Sequence, residues 1–325
     1  MSRVHLAVVL LLGITSVHAT PNDDTDLAPW AVETITPVHD RVTRWVDSTA
    51  RNLDGFFGTL DSDQVENESY LRLSSDFDWM ESEDFEIDPG IRFKLDLPTT
   101  RERLRLIIES DPEESRGTLE EQGAEPLRPQ DDSLSNTVIG LAGLGNNDPT
   151  VGWKTRAGAG VKVRWPLNPY ARASAERLWQ LGDGPWQLSN YNRASWFEDD
   201  GYSARTQWDV GRPLDSSRHL RFISQLQWQE EYDTLEFSQG AQINEVLGPR
   251  SAIRYAGVLV GDSASNPRVN DYYLLADYRR DLHRQMLFVD IVPELHFPRE
   301  ADFQPRWAIS LRIEMLFRAN LLKRR

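Results

Sequence analysis

Four histidines stand beyond the first nineteen residues: His39, His219, His283 and His296. None has the spacing of a zinc site and none falls in an HExxH pattern, so each is expected to serve packing or an interior wall. Gly261-Asp262-Ser263 is a block that can present a nucleophilic serine, with its acid and base supplied as Asp-x-x-His. Asp281-Leu282-His283 is one residue too short for that role, and a serine without a positioned base is a poor nucleophile. Pro112-Glu113-Glu114 and Asp131-Asp132 offer carboxylates for loose calcium binding but lack EF-hand spacing. No glycine-rich phosphate cradle is present, and the absence of cysteine removes thiolate chemistry, disulfides and Cys-ligated metals. The chain is therefore expected to be no enzyme and to carry no cofactor and no metal.

What recurs instead is charge at alternate positions. In 152–165, Lys154, Arg156, Lys162 and Arg164 share one side with Gly158 and Gly160, opposite Thr155, Ala157, Ala159, Val161, Val163 and Trp165. In 86–97, Arg92, Lys94 and Asp96 oppose Ile87, Ile91, Phe93, Leu95 and Leu97; in 103–110, Arg103, Arg105 and Glu109 oppose Leu104, Leu106 and Ile108. Arg221 lies opposite Leu220, Phe222 and Leu226; Arg205 and Asp209 share one side of their segment. Such a pattern suits strands with lipid on one face and a polar lumen on the other. It equally suits a soluble sandwich with the apolar face inward. Three features favour the membrane. The polar faces mix Arg with Asp, Glu and Gln. Aromatics gather near strand ends: Trp79, Trp165, Tyr170, Trp179, Trp186, Trp196, Tyr202, Tyr232, Tyr272 and Phe297. Finally, 305–317 places Trp307, Ile309, Leu311, Ile313, Met315 and Phe317 on one side against Ala308, Ser310, Arg312, Glu314 and Leu316, and ends in an aromatic.

Period-two segments occur near 69–79, 86–97, 103–110, 136–145, 152–165, 169–180, 186–197, 201–212, 218–231, 234–246, 250–261, 270–280, 284–296 and 305–317. That predicts an all-β fold, an antiparallel transmembrane β-barrel of about fourteen strands; twelve is the fallback if 136–145 is not a strand. Turn residues separate the segments, among them Gly182-Asp183-Gly184-Pro185 and Gly248-Pro249, and Pro166-Leu167-Asn168-Pro169 would be an unusually tight outer turn. With both ends periplasmic, the longest outer connection is 111–135, with eight acids, two arginines and three prolines, read as a mobile extracellular loop.

Four zones are expected. Residues 1–19 have Arg3, an apolar run from Leu6 to Ile14 and Val17-His18-Ala19, the layout of a signal peptide cut after Ala19. The run is too short for a bilayer, which needs roughly twenty residues. Residues 20–66 form a periplasmic lead-in with an amphipathic helix, since Val38, Val42, Trp45, Thr49, Leu53 and Phe56 recur at helical spacing. That helix could lie on the membrane, plug the barrel or rest in the periplasm. The barrel takes 67–317 and a basic tail takes 318–325. Removing the leader changes the net charge from −15 to −16, and so acidic a chain disfavours nucleic acid as a partner. A mean hydropathy of −0.53 beside eleven Trp, nine Tyr and twelve Phe fits aromatic girdles around a polar lumen.

The stretches 38–58 (VHDRVTRWVDSTARNLDGFFG), 92–111 and 276–317 (through ADYRRDLHRQMLFVDIVPELHFPREADFQP into SLRIEMLF) resemble a family of uncharacterised outer-membrane β-barrel proteins of Gram-negative proteobacteria. The resemblance spans nearly all of the mature chain and implies barrel identity, with no catalytic residues to carry over. It also implies that Ile313, Met315 and Phe317 mark the terminal strand for the barrel-insertion machinery, although RANLLKRR follows where such a signal normally ends. The expected function is a passive outer-membrane channel for small polar or anionic solutes. The alternative is a non-conducting structural or adhesive barrel acting through its acidic loops. The candidate lumen residues are Arg92, Lys94, Asp96, Arg103, Arg105, Lys162, Arg164, Arg205, Asp209, Arg221, Arg312 and Glu314. Two readings of them stand: a basic ladder that selects anions, or arginines that pair with Asp96, Glu109, Asp209 and Glu314 and close the lumen.

Overall fold

The structure is a computed structural model describing residues 25–27, 31–32, 69–81, 84–98, 104–110, 112, 117–123, 136–145 and 150–318. The expected signal peptide, the helix over 38–58, Arg103 and the tail beyond 318 lie outside the described residues.

Fourteen strands follow one another: β1 (Tyr70–Met80), β2 (Glu86–Pro98), β3 (Leu104–Glu109), β4 (Val138–Leu144), β5 (Lys154–Lys162), β6 (Asn168–Gln180), β7 (Gln187–Phe197), β8 (Gly201–Pro213), β9 (Arg218–Gln229), β10 (Thr234–Gly248), β11 (Ser251–Asp262), β12 (Val269–His283), β13 (Leu287–His296) and β14 (Arg306–Arg318). Each pairs antiparallel with its chain neighbours, and β14 closes on β1 in register from Tyr70↔Arg318 to Met80↔Ala308. Closure leaves no unpaired sheet edge, which is what allows strands to cross a bilayer. The fourteen-strand count needs no fallback, because 136–145 does contain β4. The feared tight turn relaxes: β6 begins at Asn168, Pro169 pairs with Val161, and the turn is 163–167. β13 begins at Leu287 rather than at 284, because Arg284 and Gln285 turn through positive φ (46° and 59°).

Burial runs opposite to that of a water-soluble protein. Trp307, Ile309, Leu311 and Ile313 are 37–56% exposed, whereas Glu314, on the inner face of the same strand, is 2% exposed. Ile91, Leu226, Leu235, Ile243, Leu274 and Ile291 continue the exposed apolar surface around the wall. In water such a surface would cost roughly 25 cal/mol per Å², whereas in lipid it costs nothing. The exterior therefore suits a bilayer, and the fold is that of a closed membrane-type β-barrel. Among the described residues no helix is long and apolar enough to cross a membrane.

Aromatics ring both ends of the wall. At the end where β1 begins and β14 finishes, Trp153 meets Trp179 edge-on (5.6 Å between centroids) and Trp179 stacks on Trp208 (6.4 Å). Tyr272 stacks on Phe297 and Phe303 at the opposite, far end, with Trp79, Tyr202 and Trp307 exposed nearby. Two aromatics depart from expectation. Tyr170 is not a girdle residue: it points inward, 4% exposed, and stacks on Phe197 at 5.2 Å beside Val138. The space comes from Gly140, where a Cβ would collide with the Tyr170 hydroxyl and the Ala159 carbonyl. Phe317 is buried opposite Leu71 at the seam rather than facing lipid.

Candidate functional site

Alternation turns one side chain in two toward the barrel axis, and those side chains enclose a cavity of about 870 Å³. Seven arginines reach it (Arg72, Arg92, Arg205, Arg221, Arg254, Arg279 and Arg312), against five acids (Glu121, Glu176, Asp209, Asp277 and Asp290). Ionised groups taken from water need partners, and here the wall supplies them strand to strand. Across β12, β13, β14 and β1 one row reads Arg279↔Asp290↔Arg312↔Asp76, alternating in sign. Arg279 donates to Asp290 at 3.0 Å and to Glu314 at 2.6 Å, Arg72 lies 3.3 Å from Glu314, and Arg312 bonds Asp76. This network crosses the closing seam. On other strands Arg105 meets Asp96 at 2.6 Å, Arg172 meets Glu109 at 3.1 Å, Arg254 meets Asp277 at 2.8 Å, and Arg221 donates to Asp209 through Nε at 3.0 Å.

Arg92, Lys94, Asp96, Arg105, Lys162, Arg205, Asp209, Arg221, Arg312 and Glu314 thus sit on the inner face. Arg164 does not. It lies past the end of β5, in the 163–167 turn, where it pairs with Asp199 and is a rim residue. Asp96 and Asp209 each take a candidate arginine (Arg105 and Arg221), whereas Glu109 takes Arg172 and Glu314 takes Arg72 and Arg279, arginines outside the candidate set. Pairing has nevertheless left the cavity open. Arg72, Arg254 and Arg279 were not among the sequence candidates, although alternation within their segments places them on the same side as the charges that were.

The acidic loop 111–135 departs most from expectation. Within it, α1 (Leu119–Gly123) folds back into the lumen instead of standing outside. Thr118 and Glu121 cap it reciprocally: the Glu121 amide donates to the Thr118 hydroxyl at 3.3 Å, and the Thr118 amide donates to the Glu121 carboxylate at 2.7 Å. Leu119 is 3% exposed and its amide donates to Glu236 at 2.8 Å. Gln122 accepts from Arg205 at 2.6 Å, and Gln227 donates to the Gly117 carbonyl at 3.0 Å. Asn270 donates to Glu120 at 3.1 Å, and burial pushes the Glu120 carboxyl above the ordinary Glu value of 4.5. The Thr-x-x-Glu capping signature at 118–121 was the sequence signal for this helix; the surrounding acids and prolines obscured it.

Of the other candidate residues, His39, Glu113, Glu114, Asp131 and Asp132 lie outside the described residues, while His296, Asp262, Ser263 and His283 are held in structural contacts. His296 holds Asp271 through Nδ1 at 2.6 Å and Glu294 through Nε2 at 2.7 Å, and stacks on Tyr273 at 4.8 Å, tying β12 to β13. The Ser263 hydroxyl accepts the Leu235 amide at 3.0 Å, and Asp262 organises its own loop through Ala264, Ser265 and Asn270. At the terminal end, Asp26 pairs with Arg250 (3.0 Å) and Arg280 (2.7 Å), and Thr25 bridges to His283, so a short lead-in segment is fastened to the barrel mouth. The Arg280 hydrogen bond, aided by Arg250, holds the Asp26 carboxyl below its ordinary value.

No protein-family model matches this chain, and no curated protein matches it in sequence. Solved structures similar in fold include an anion-selective porin from Comamonas acidovorans (8% identity, TM-score 0.49, covering 78% of this chain and 99% of that one). Another is the outer membrane channel DcaP of Acinetobacter baumannii (8%, 0.44, 80% and 100%). A third is the KdgM porin in complex with disordered oligogalacturonate (3%, 0.35, 75% and 98%).

Proposed function

We propose that this protein is a passive outer-membrane channel for small polar or anionic solutes. The observation that carries the reading is the cavity of about 870 Å³ inside a closed barrel, mostly polar except for an apolar stretch on β11 to β13 (Ala256, Val258, Tyr273, Leu275 and Val292), and bordered by more arginines than acids. Fourteen strands lie between the eight that side chains fill and the sixteen or more that leave a wide aqueous pore. A bore of that size, narrowed by α1 on one side, suits solutes rather than folded polypeptides. Side-chain charge at a constriction selects ions by sign, and seven arginines against five acids favours anions.

Planar-bilayer recording tests it. The folded chain should give discrete conductance steps, with a reversal potential displaced toward the anion equilibrium potential in a KCl gradient. A barrel that shifts mobility on boiling yet conducts nothing would refute the channel and leave the structural or adhesive reading. We also propose that β14 is the segment that the insertion machinery reads, supported by Ile313 facing lipid and by Met315 sharing that side of the strand. Substituting Ile313 and Met315 with Asn should slow assembly in membranes without altering the lumen.

A further inference from the structure

The lumen wall carries charged or hydrogen-bonding side chains along most of its circumference, but it changes character on β9 to β12. One lateral row reads Ile223↔Gly240↔Val258↔Tyr273, and Ala256↔Leu275 extends it in the next row toward the termini. All six residues border the main cavity. We propose that this patch binds the apolar tail of a small amphipathic anion, a single carboxylate or sulfonate head on a short alkyl chain. The inference rests on the channel reading for how the solute arrives, and deepens it by naming the solute class.

Two layers build the patch. Tyr273, Leu275 and Val292 pack together with Val260 and are 9% exposed or less. Ala256 and Val258 pack against them and stay half-buried, as does Ile223 on β9, so these three side chains present the surface that a solute meets. Gly240 leaves a gap between Ile223 and Val258: a Cβ there would find its nearest atom, Val258 Cγ2, 3.8 Å away. Apolar surface held against a water-filled lumen is unfavourable, and a tail lying in that gap covers it.

The head is placed by the rows below. Arg221 ends the second row, Arg221↔Gln242↔Ala256, and Arg254 faces Asp277 in the third. Successive inward residues lie about 7 Å apart along a strand, so both guanidinium groups stand within a short chain's reach of Val258. Both are paired, with Asp209 and Asp277. A guanidinium has five N–H donors, and these two side chains are 34% and 40% exposed, so each meets an oxyanion from the lumen while keeping its acid. Every anion shares that attraction; the patch adds what only an anion with a tail can use. The cavity of about 870 Å³ lies within the roughly 300–1,000 Å³ of small-molecule sites and admits such a solute.

The test is block of the chloride current through the folded full chain by methanesulfonate, butanesulfonate and hexanesulfonate, which stay ionised and do not cross lipid as neutral acids. Burying a methylene completely is worth about fourfold in affinity, and a tail lying on one wall is about half covered, so affinity should rise about twofold per methylene. Val258→Thr combined with Ile223→Thr keeps the β-branch, adds hydroxyls and should flatten that rise. Ser189→Ala, on the β7 side of the cavity, should leave it unchanged. If the double variant does not fold, Val258→Thr alone should lower the increment in the same direction. Equal affinity across the series, or an increment that the Thr variants do not move, would overturn the proposal. Saturation-transfer NMR of hexanesulfonate on the barrel in deuterated lipid reads the same contact without current. Transfer that the Thr variant loses, from a barrel that conducts nothing, would refute the channel and keep the patch; conductance without dependence on tail length would keep the channel and remove the patch.

Discussion

Asp209 and Arg221 offer a matched pair of perturbations with opposite expected signs. They face the same cavity, and Arg221 Nε donates to Asp209 at 3.0 Å. Asp209→Asn leaves a guanidinium facing the lumen without its counter-charge; Arg221→Gln leaves a carboxylate. The Arg221 side chain is 34% exposed, so the effective dielectric is close to that of water. A unit charge about 4 Å from a passing ion is then worth about 1 kcal/mol, close to fivefold in occupancy. The ratio of chloride to potassium permeability should rise about fivefold in Asp209→Asn and fall by a similar factor in Arg221→Gln. Both changes should be largest near 0.1 M KCl, where screening extends about 10 Å, and should shrink at 1 M, where it falls to about 3 Å. Reversal potentials at the two salt concentrations measure this directly. Two variants that move selectivity in the same direction, or a shift that does not weaken with salt, would refute the assignment of this pair to the conduction path.

Other expectations follow from single contacts. Leu119→Asp should undock α1 and raise single-channel conductance, because Leu119 is its buried anchor. The carboxyl of Glu120 is raised above 4.5 when docked, so its contribution to docking is full below that value and is lost as pH rises through the raised one, which weakens docking. Conductance should therefore increase from acid to neutral pH, and Glu120→Gln should flatten the profile. Asp26 has the opposite sign: its lowered carboxyl stabilises the lead-in contact above pH 3.8 and loses it as pH falls through the depressed value. Asp26→Asn should make the chain ahead of the barrel more sensitive to limited proteolysis at neutral pH, with the barrel's own resistance unchanged. Gly140→Val should lower the temperature of the boiling-induced mobility shift, since overpacking against Tyr170 costs about 1–3 kcal/mol.

Fourteen strands, their approximate limits and most of their inward faces were legible because alternation is local. A strand's two faces differ every second residue whatever the rest of the chain does. The same local logic located Arg221, Asp209, Arg312 and Glu314 on the lumen side. It misjudged Tyr170 because a tyrosine near a strand end suits either face, and the room inside comes from Gly140 on β4. It also read the acidic loop by composition, which describes solvation and says nothing of a short capped helix with one leucine able to anchor it.

By itself, then, the amino-acid order determined a set of strands each with one apolar and one charged face; that the apolar face is the outside of a closed barrel was decided by the tertiary structure. Which arginine meets which acid was decided only on closure, because partners on adjacent strands depend on register and stagger that no single strand encodes. Closure also joined Arg72 and Arg312 to acids across the seam and gave α1 a wall on which to dock. The size and charge of the lumen are consequences of those pairings, and so belong to the tertiary structure alone.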